Sequence, residues 1–347
     1  MAEYISFQPI DHFKTHLYTG TGASNAQTFP ETTAMQPDVV WIKNRDVTDF
    51  HVWTNSISGA TKYIETNNTL IQTTHAESVK SFDSDGFTVG TQNEVNTNTE
   101  DYVSWNWKMG TTTGIAGSPS ITPTAYSFNA TAGQSIIQYT GTGVAGTLPH
   151  GLGVTPQMII LRNTNAGYNW MVYHEAMNNA GRQLKLNTSG AWTLVTTIWN
   201  NTLPTASLFS VGTNSETNES ADTLLAYCFT SIKGYSKFGK YVGNGNADGT
   251  FVYTGFRPSW VLVKAYEDAE NWMLQDNKRL GYNENNYRLA PNSTMIEQAT
   301  GWVDLLANGF KIRNTNTEIN GSGYNYLYSA FAESPIVSSN DVPGVAR

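Results

Sequence analysis

Residues 229–264 read FTSIKGYSKFGKYVGNGNADGTFVYTGFRPSWVLVK. The stretch decides the fold because its order of features recurs. An aromatic strand end (Tyr227, Phe229) leads to a Tyr-x-Gly-x-Gly turn (Tyr241, Gly243, Gly245). Pro258 follows, then the apolar run Trp260 to Val263, closed by Lys264. The same order appears earlier as Tyr126, Phe128, Tyr139, Gly141, Gly143, Pro156, Met158 to Leu161 and Arg162. It appears first as Tyr4, Phe7, Tyr18, Gly20, Gly22, Pro37, Val39 to Ile42 and Lys43. A truncated copy, Tyr328 to Pro335, closes the chain.

Working outward, the repeat sets the domain organisation. Phe128 to Phe229 spans 101 residues, Phe229 to Phe331 spans 102, and Phe7 to Phe128 spans 121. The extra length falls in Gly110 to Ser120, rich in Gly, Thr, Ser and Pro, which reads as a linker. Residues 1–109 are thus expected to form a first module, with a docking strand in Met1 to Thr15 that closes its own sheet or a neighbour's. A linker follows at 110–125, then modules at 126–233 and 234–335 and a tail at 336–347. Each unit is large enough for its own small core.

Each unit holds several short strand-like runs and none keeps a long helical period; Ile296 to Leu306 is read as one short helix. The runs after each proline are apolar at odd and even positions alike, which predicts strands buried on both faces. Asp83-Ser-Asp-Gly86 predicts a hairpin turn. Paired glycines in Gly20/Gly22, Gly141/Gly143 and Gly243/Gly245 supply the backbone freedom of a tight turn. The expected fold is all-β: three tandem antiparallel β-sandwich modules of jelly-roll or lectin-like type.

Composition narrows the function. Charged residues are only 14% of the chain while aromatics reach 12%, a mixture that suits sandwiches with polar loops rather than disorder. Net charge is −8 with no basic run, which argues against a nucleic-acid track. The amino-terminal residues show no basic region followed by an apolar core, and no stretch reaches the length of a membrane span. The single cysteine, Cys228, lies in a strand-like run and reads as a small buried hydrophobe.

The quoted motifs, together with PDVVWIKNRD, SFDSDGFTVG, YVSWNWK, HGLGVTPQMIILRN and YLYSAFAESP, resemble a family of bacteriophage virion proteins common in phages of marine bacteria. The resemblance covers nearly the whole chain. It implies a structural or tail-associated role and lectin-like sandwich modules, and it brings no catalytic residue set.

Catalytic and metal signatures are thin. His12 and His16 are four apart but lack the glutamate of a zinc-protease helix. Asp83 with Asp85, and Glu267 with Asp268 and Glu270, are the densest acids, and read as turn and solvated loop rather than a glycosidase pair. Asn244 to Gly249 begins like a calcium loop, but Gly255 stands where the twelfth-position glutamate belongs. No cofactor and no metal are expected. The recurring polar position is the basic residue after each buried run: Lys43, Arg162 and Lys264. The recurring aromatics in the next strand are Trp53, Trp170 and Trp272. Both sets read first as packing and second as contacts to a sugar or partner. The polar loops Asn93 to Glu100, Asn214 to Ser220 and Asn314 to Ser322 are further binding candidates.

The sequence reading is therefore a non-enzymatic virion protein, made in the bacterial host's cytoplasm. It would sit on a tail or fibre, contact other virion proteins and a host-surface glycan or envelope without entering the membrane, and assemble as a homo-oligomer, with a trimer expected. A capsid decoration or head-fibre protein is the first alternative, and a glycan-degrading tail enzyme the second.

Overall fold

The computed structural model describes residues 5–279, 283, 287–299 and 302–333. The chain is all-β, as the repeat predicted, and its described helices are single turns. Each unit builds one large antiparallel sheet faced by a small one. In unit one the large sheet runs Phe13–Thr19, Asp101–Trp107, Val39–Asn44, His51–Asn55, Lys62–Glu65 and Thr73–Thr74. The closing strand Asp101–Trp107 thus returns between the first strand and the buried run. Units two and three repeat this order through their closing strands Thr223–Phe229 and Asn325–Phe331. The small sheets are Asn25–Thr28, Gly86–Val89 and Val79–Asp83; Gly146–Pro149 with Leu208–Val211; and Phe251–Tyr253, Gly309–Ile312 and Val303–Leu306.

The doubly apolar runs explain the packing. In Val39–Asn44, Val40 and Ile42 point into the sandwich of unit one, while Val39 and Trp41 point the other way. Ile159 and Leu161 oppose Met158 and Ile160, and Val261 and Val263 oppose Trp260 and Leu262, in the same alternation. The outward set from all three units meets in one shared core, with Phe13, Trp53, Trp105, Trp107, Trp170, Tyr227, Phe229, Trp272 and Phe331. Three satellite cores fill the individual sandwiches.

The three tandem sandwiches therefore keep cores of their own and add a common one between them. Unit one alone gives Phe13, Trp41, Trp53, Trp105 and Trp107 to the shared core. At roughly 2–3 kcal/mol per buried large side chain, they contribute on the order of 10 kcal/mol. That is comparable with the whole net stability of an ordinary domain, so the units stand or fall together.

Backbone hydrogen bonds close the arrangement into a ring. Gln72 N–H donates to the Thr164 carbonyl at 2.9 Å, Trp192 N–H to Tyr266 at 2.8 Å, and Glu297 N–H to Arg45 at 2.9 Å. These are one contact made three times, from unit one to two, two to three, and three to one.

One choice left open by the sequence is decided, and two further expectations change. Phe13–Thr19 pairs with unit one's own closing strand, so the first sheet is completed in cis; Met1 to Tyr4 lie outside the described residues. Residues 110–125 are a loop that ends in an added edge strand, Ala125–Asn129, paired with Gln134–Thr140. Tyr126 and Phe128 therefore sit on an insertion, and the true counterpart of Phe229 and Phe331 is Trp107, as the ladder partners Met158, Trp260 and Val39 show. Around the expected helix at Ile296 to Leu306 the described residues form the short strands Gln298–Ala299 and Val303–Leu306, because Leu305 and Val303 face the sandwich core on alternate positions. Pro335 and the tail 336–347 lie outside the described residues.

Candidate functional site

The three strand-end cations are fully buried between units. Lys264 Nζ donates to the Ala265 and Asp268 carbonyls of its own unit, at 2.5 and 3.0 Å, and to Ser189 of unit two at 3.2 Å. Arg162 Nη2 donates to the Leu70 carbonyl of unit one, and its guanidinium stands 5.8 Å from the Trp170 ring centre. Lys43 Nζ donates to the Asn44 and Val47 carbonyls at 2.5 and 3.3 Å. Burial lowers all three: Lys43 and Lys264 to about 8, Arg162 to about 10. Desolvation outweighs the nearby carboxylates in each case.

The aromatic set is buried as well, with Trp53, Trp170 and Trp272 at 2%, 0% and 0% exposure. The register also corrects its membership. Val52, Met171 and Met273 pair with Ile42, Leu161 and Val263, so Trp170 and Trp272 align with His51, and Trp53 aligns with Val172 and Leu274. Trp170 Nε1 donates to the Glu65 carbonyl at 2.9 Å, and Trp272 Nε1 to Lys185 at 3.0 Å, each reaching the preceding unit. His51 fills the third place against the Ala290 backbone of unit three, where burial drives its pKa well below the ordinary value. None of these six side chains presents a face to a sugar, because the second face of each large sheet is covered by the other units.

The turn glycines are fixed by close approach. A Cβ on Gly20, Gly141 or Gly243 would stand 2.0, 2.0 or 2.2 Å from the carbonyl oxygen of Thr97, Glu219 or Gly321. Gly22, Gly143 and Gly245 take φ of +65°, +70° and +65°. Facing each turn is a one-turn helix within the three polar loops: Asn93–Asn96, Ser215–Asn218 and Thr317–Asn320. Each ends in a fully buried asparagine that the sequence reading passed over. Asn218 Oδ1 accepts from Thr142 N at 2.8 Å, and its Nδ2 donates to Val144 and Gly212 carbonyls at 2.7 and 2.8 Å. Asn96 and Asn320 make the matching bonds to Thr21 and Asn244. The signal was present as a repeated Glu-x-Asn: Glu94/Asn96, Glu216/Asn218, Glu318/Asn320. At their centres the polar loops are structural locks.

The acid groups are engaged in folding. Asp83 accepts from Ser81 and Thr88 hydroxyls at 2.7 Å each, and Asp85 accepts from Met35 N at 3.0 Å, within the expected hairpin. Glu267 accepts from Asn325 at 2.7 Å. Asp248, in the stretch that begins like a calcium loop, pairs with Lys311 at 2.8 Å and Arg313 at 3.3 Å. His12 packs on Phe7 and Tyr235 while His16 meets Gln27, so the two do not share a ligand. Among the described residues no three His, Cys, Asp or Glu side chains gather as a metal site, and no helix is long and apolar enough to cross a membrane. Cys228 is buried, which pushes its thiol up to about 12.

One family match spans all three units, residues 8–335. The chain belongs to the DUF7483 family, a domain of unknown function. The DUF7483 match takes in every sheet of the ring, in keeping with units that share a core. No curated protein matches the chain. Among the described residues the DUF7483 ring exposes Val144 in a loop, Val242 at the end of the strand Ser236–Val242, and Phe251 and Tyr253 on the small sheet of unit three.

Proposed function

We propose that this protein is a non-enzymatic structural component of a bacteriophage virion, placed on a tail or fibre and adhering to a host-surface glycan. The repeated motifs support the virion setting. The observation that carries the non-enzymatic part is the fate of the recurring polar residues. Lys43, Arg162, Lys264, Asn96, Asn218 and Asn320 are all buried and spend their hydrogen bonds on neighbouring backbone. A scaffold whose repeated polar chemistry is inward is built for rigidity, and rigid scaffolds bind through surface loops.

The closed ring favours a second placement. A chain with three-fold internal pseudosymmetry matches three-fold particle sites without forming a trimer, which suits capsid decoration as well as a fibre. Immunogold electron microscopy of intact virions separates the two. Label on the tail supports adhesion, label over the head supports decoration, and virions without label reject the structural role.

A further inference from the structure

The outer face of unit three differs from those of the other two units. An open groove of about 270 Å³ lies there, lined by Ser231, Lys233, Lys237, Tyr253, Thr254 and Gly255 among others. Its floor is the connection from unit two to unit three and the start of the strand Ser236–Val242. Tyr253 is 64% exposed, with Phe251 on the same edge also exposed.

The ladder registers show that the other units lack these groups. Val252 pairs with Phe310 as Leu148 pairs with Phe209 and Gln27 with Phe87, so Tyr253 corresponds to Pro149 and Thr28, and Phe251 to Thr147 and Ala26. Ser236, Gln134 and Phe13 share a register, so Lys237 corresponds to Ser135 and Lys14. Ser135 is buried, and Lys14 is buried beside Glu31. Ring closure accounts for what all three units hold in common. It does not call for an exposed tyrosine and a lysine beside an open groove in one unit alone.

The surrounding charge is also unlike that of the whole. Lys233 and Lys237 line the groove and no acidic residue does, in a chain of net charge −8. An aromatic face suits the apolar side of a pyranose ring, and lysines suit a carboxylate. Gly255, at φ +84°, places no side chain beside the Tyr253 hydroxyl; a Cβ there would lie 3.5 Å from it.

We propose that this groove is a binding subsite for an acidic saccharide, a uronic-acid-bearing chain whose ring stacks on Tyr253 and whose carboxylate meets Lys237. The inference rests on the adhesion reading and names its ligand class.

The test is titration of the full chain with tetragalacturonate and, as the neutral comparator, maltotetraose. Tetragalacturonate should bind and maltotetraose should bind at least about tenfold more weakly. Tyr253→Ala should weaken tetragalacturonate binding about tenfold. Lys237→Gln should weaken it and flatten its dependence on salt. Circular dichroism of both variants, which alter surface side chains, checks that they remain folded. Failure to bind tetragalacturonate, equal binding of the two sugars, or unchanged binding by both variants overturns the subsite. Host-cell binding read in parallel keeps the two ideas apart. Cells held equally by the parent protein and both variants leave adhesion standing and remove the groove. Tetragalacturonate bound in a Tyr253-dependent way by a protein that holds no cells keeps the groove and removes adhesion.

Discussion

Replacing Asn218 with alanine tests both the turn lock and the shared core. Asn218 is fully buried and joins the Tyr139-x-Gly-x-Gly turn to the chain after Val211. Its removal strips a hydrogen bond from Thr142 N and one each from the carbonyls of Val144 and Gly212. At about 1 kcal/mol each, and more for a group left buried without a partner, the loss comes to roughly 3 kcal/mol. Urea unfolding followed by two signals is the assay. Tryptophan fluorescence reports mainly the shared core, where most of the ten tryptophans sit. Far-ultraviolet circular dichroism reports every sheet. The expected result is one transition, coincident in both signals and lowered by roughly 3 kcal/mol. Asn96→Ala and Asn320→Ala should each do the same within about 1 kcal/mol, since their bonds match. A loss under about 1 kcal/mol would refute the lock. A separate early melt of about a third of the dichroism, with tryptophan fluorescence unmoved, would refute the interdependence of the units.

Gly141→Ala should be at least as costly, because its Cβ meets the Glu219 carbonyl at 2.0 Å and backbone must move; Gly153→Ala, in open space but at φ +73°, should cost only about 1 kcal/mol. A Gly141→Ala protein as stable as the parent sinks the close-approach argument. Stability should also rise from pH 8 to 9.5. Lys43 and Lys264 sit at about 8 when folded against 10.5 unfolded, so between those values the unfolded chain holds more protons and loses that advantage as pH climbs. Each lysine contributes about 1.5 kcal/mol over this interval. Cys228, raised by burial from 9.0 to about 12, offsets under about 1 kcal/mol of it. The buried tyrosine hydroxyls, among them Tyr18, Tyr139, Tyr227, Tyr235 and Tyr241, are also raised by burial; each offsets about 0.2 kcal/mol by pH 9.5, and together they halt the rise before pH 10. Urea midpoints at the two pH values measure it; a flat parent profile, or an equal rise in Lys43→Met/Lys264→Met, contradicts the assignment.

The sequence by itself determined the repeat, the all-β class, the hairpin at Asp83–Gly86 and the need for glycine in each turn. These are local properties: a turn that needs positive φ or a bare backbone selects glycine wherever it occurs, and an uninterrupted apolar run must be covered on both sides. What covers the second side is not local. Trp41 meets Trp53 and Trp105 within its own unit, but Trp53 also meets Trp170 and Tyr227 of the next. Nothing near Trp53 in the chain announces partners more than a hundred residues away. The choice between His51 and Trp53 as the counterpart of Trp170 turns on a register difference of two residues, which keeps the side chain on the same face but changes which unit it touches. Asn218 looks like any residue of a polar loop until the fold closes over it. The tertiary structure alone decided that three similar sheets would share one core and turn their repeated cations inward. Burying those second faces against one another removes more apolar surface from water than three separate sandwiches could.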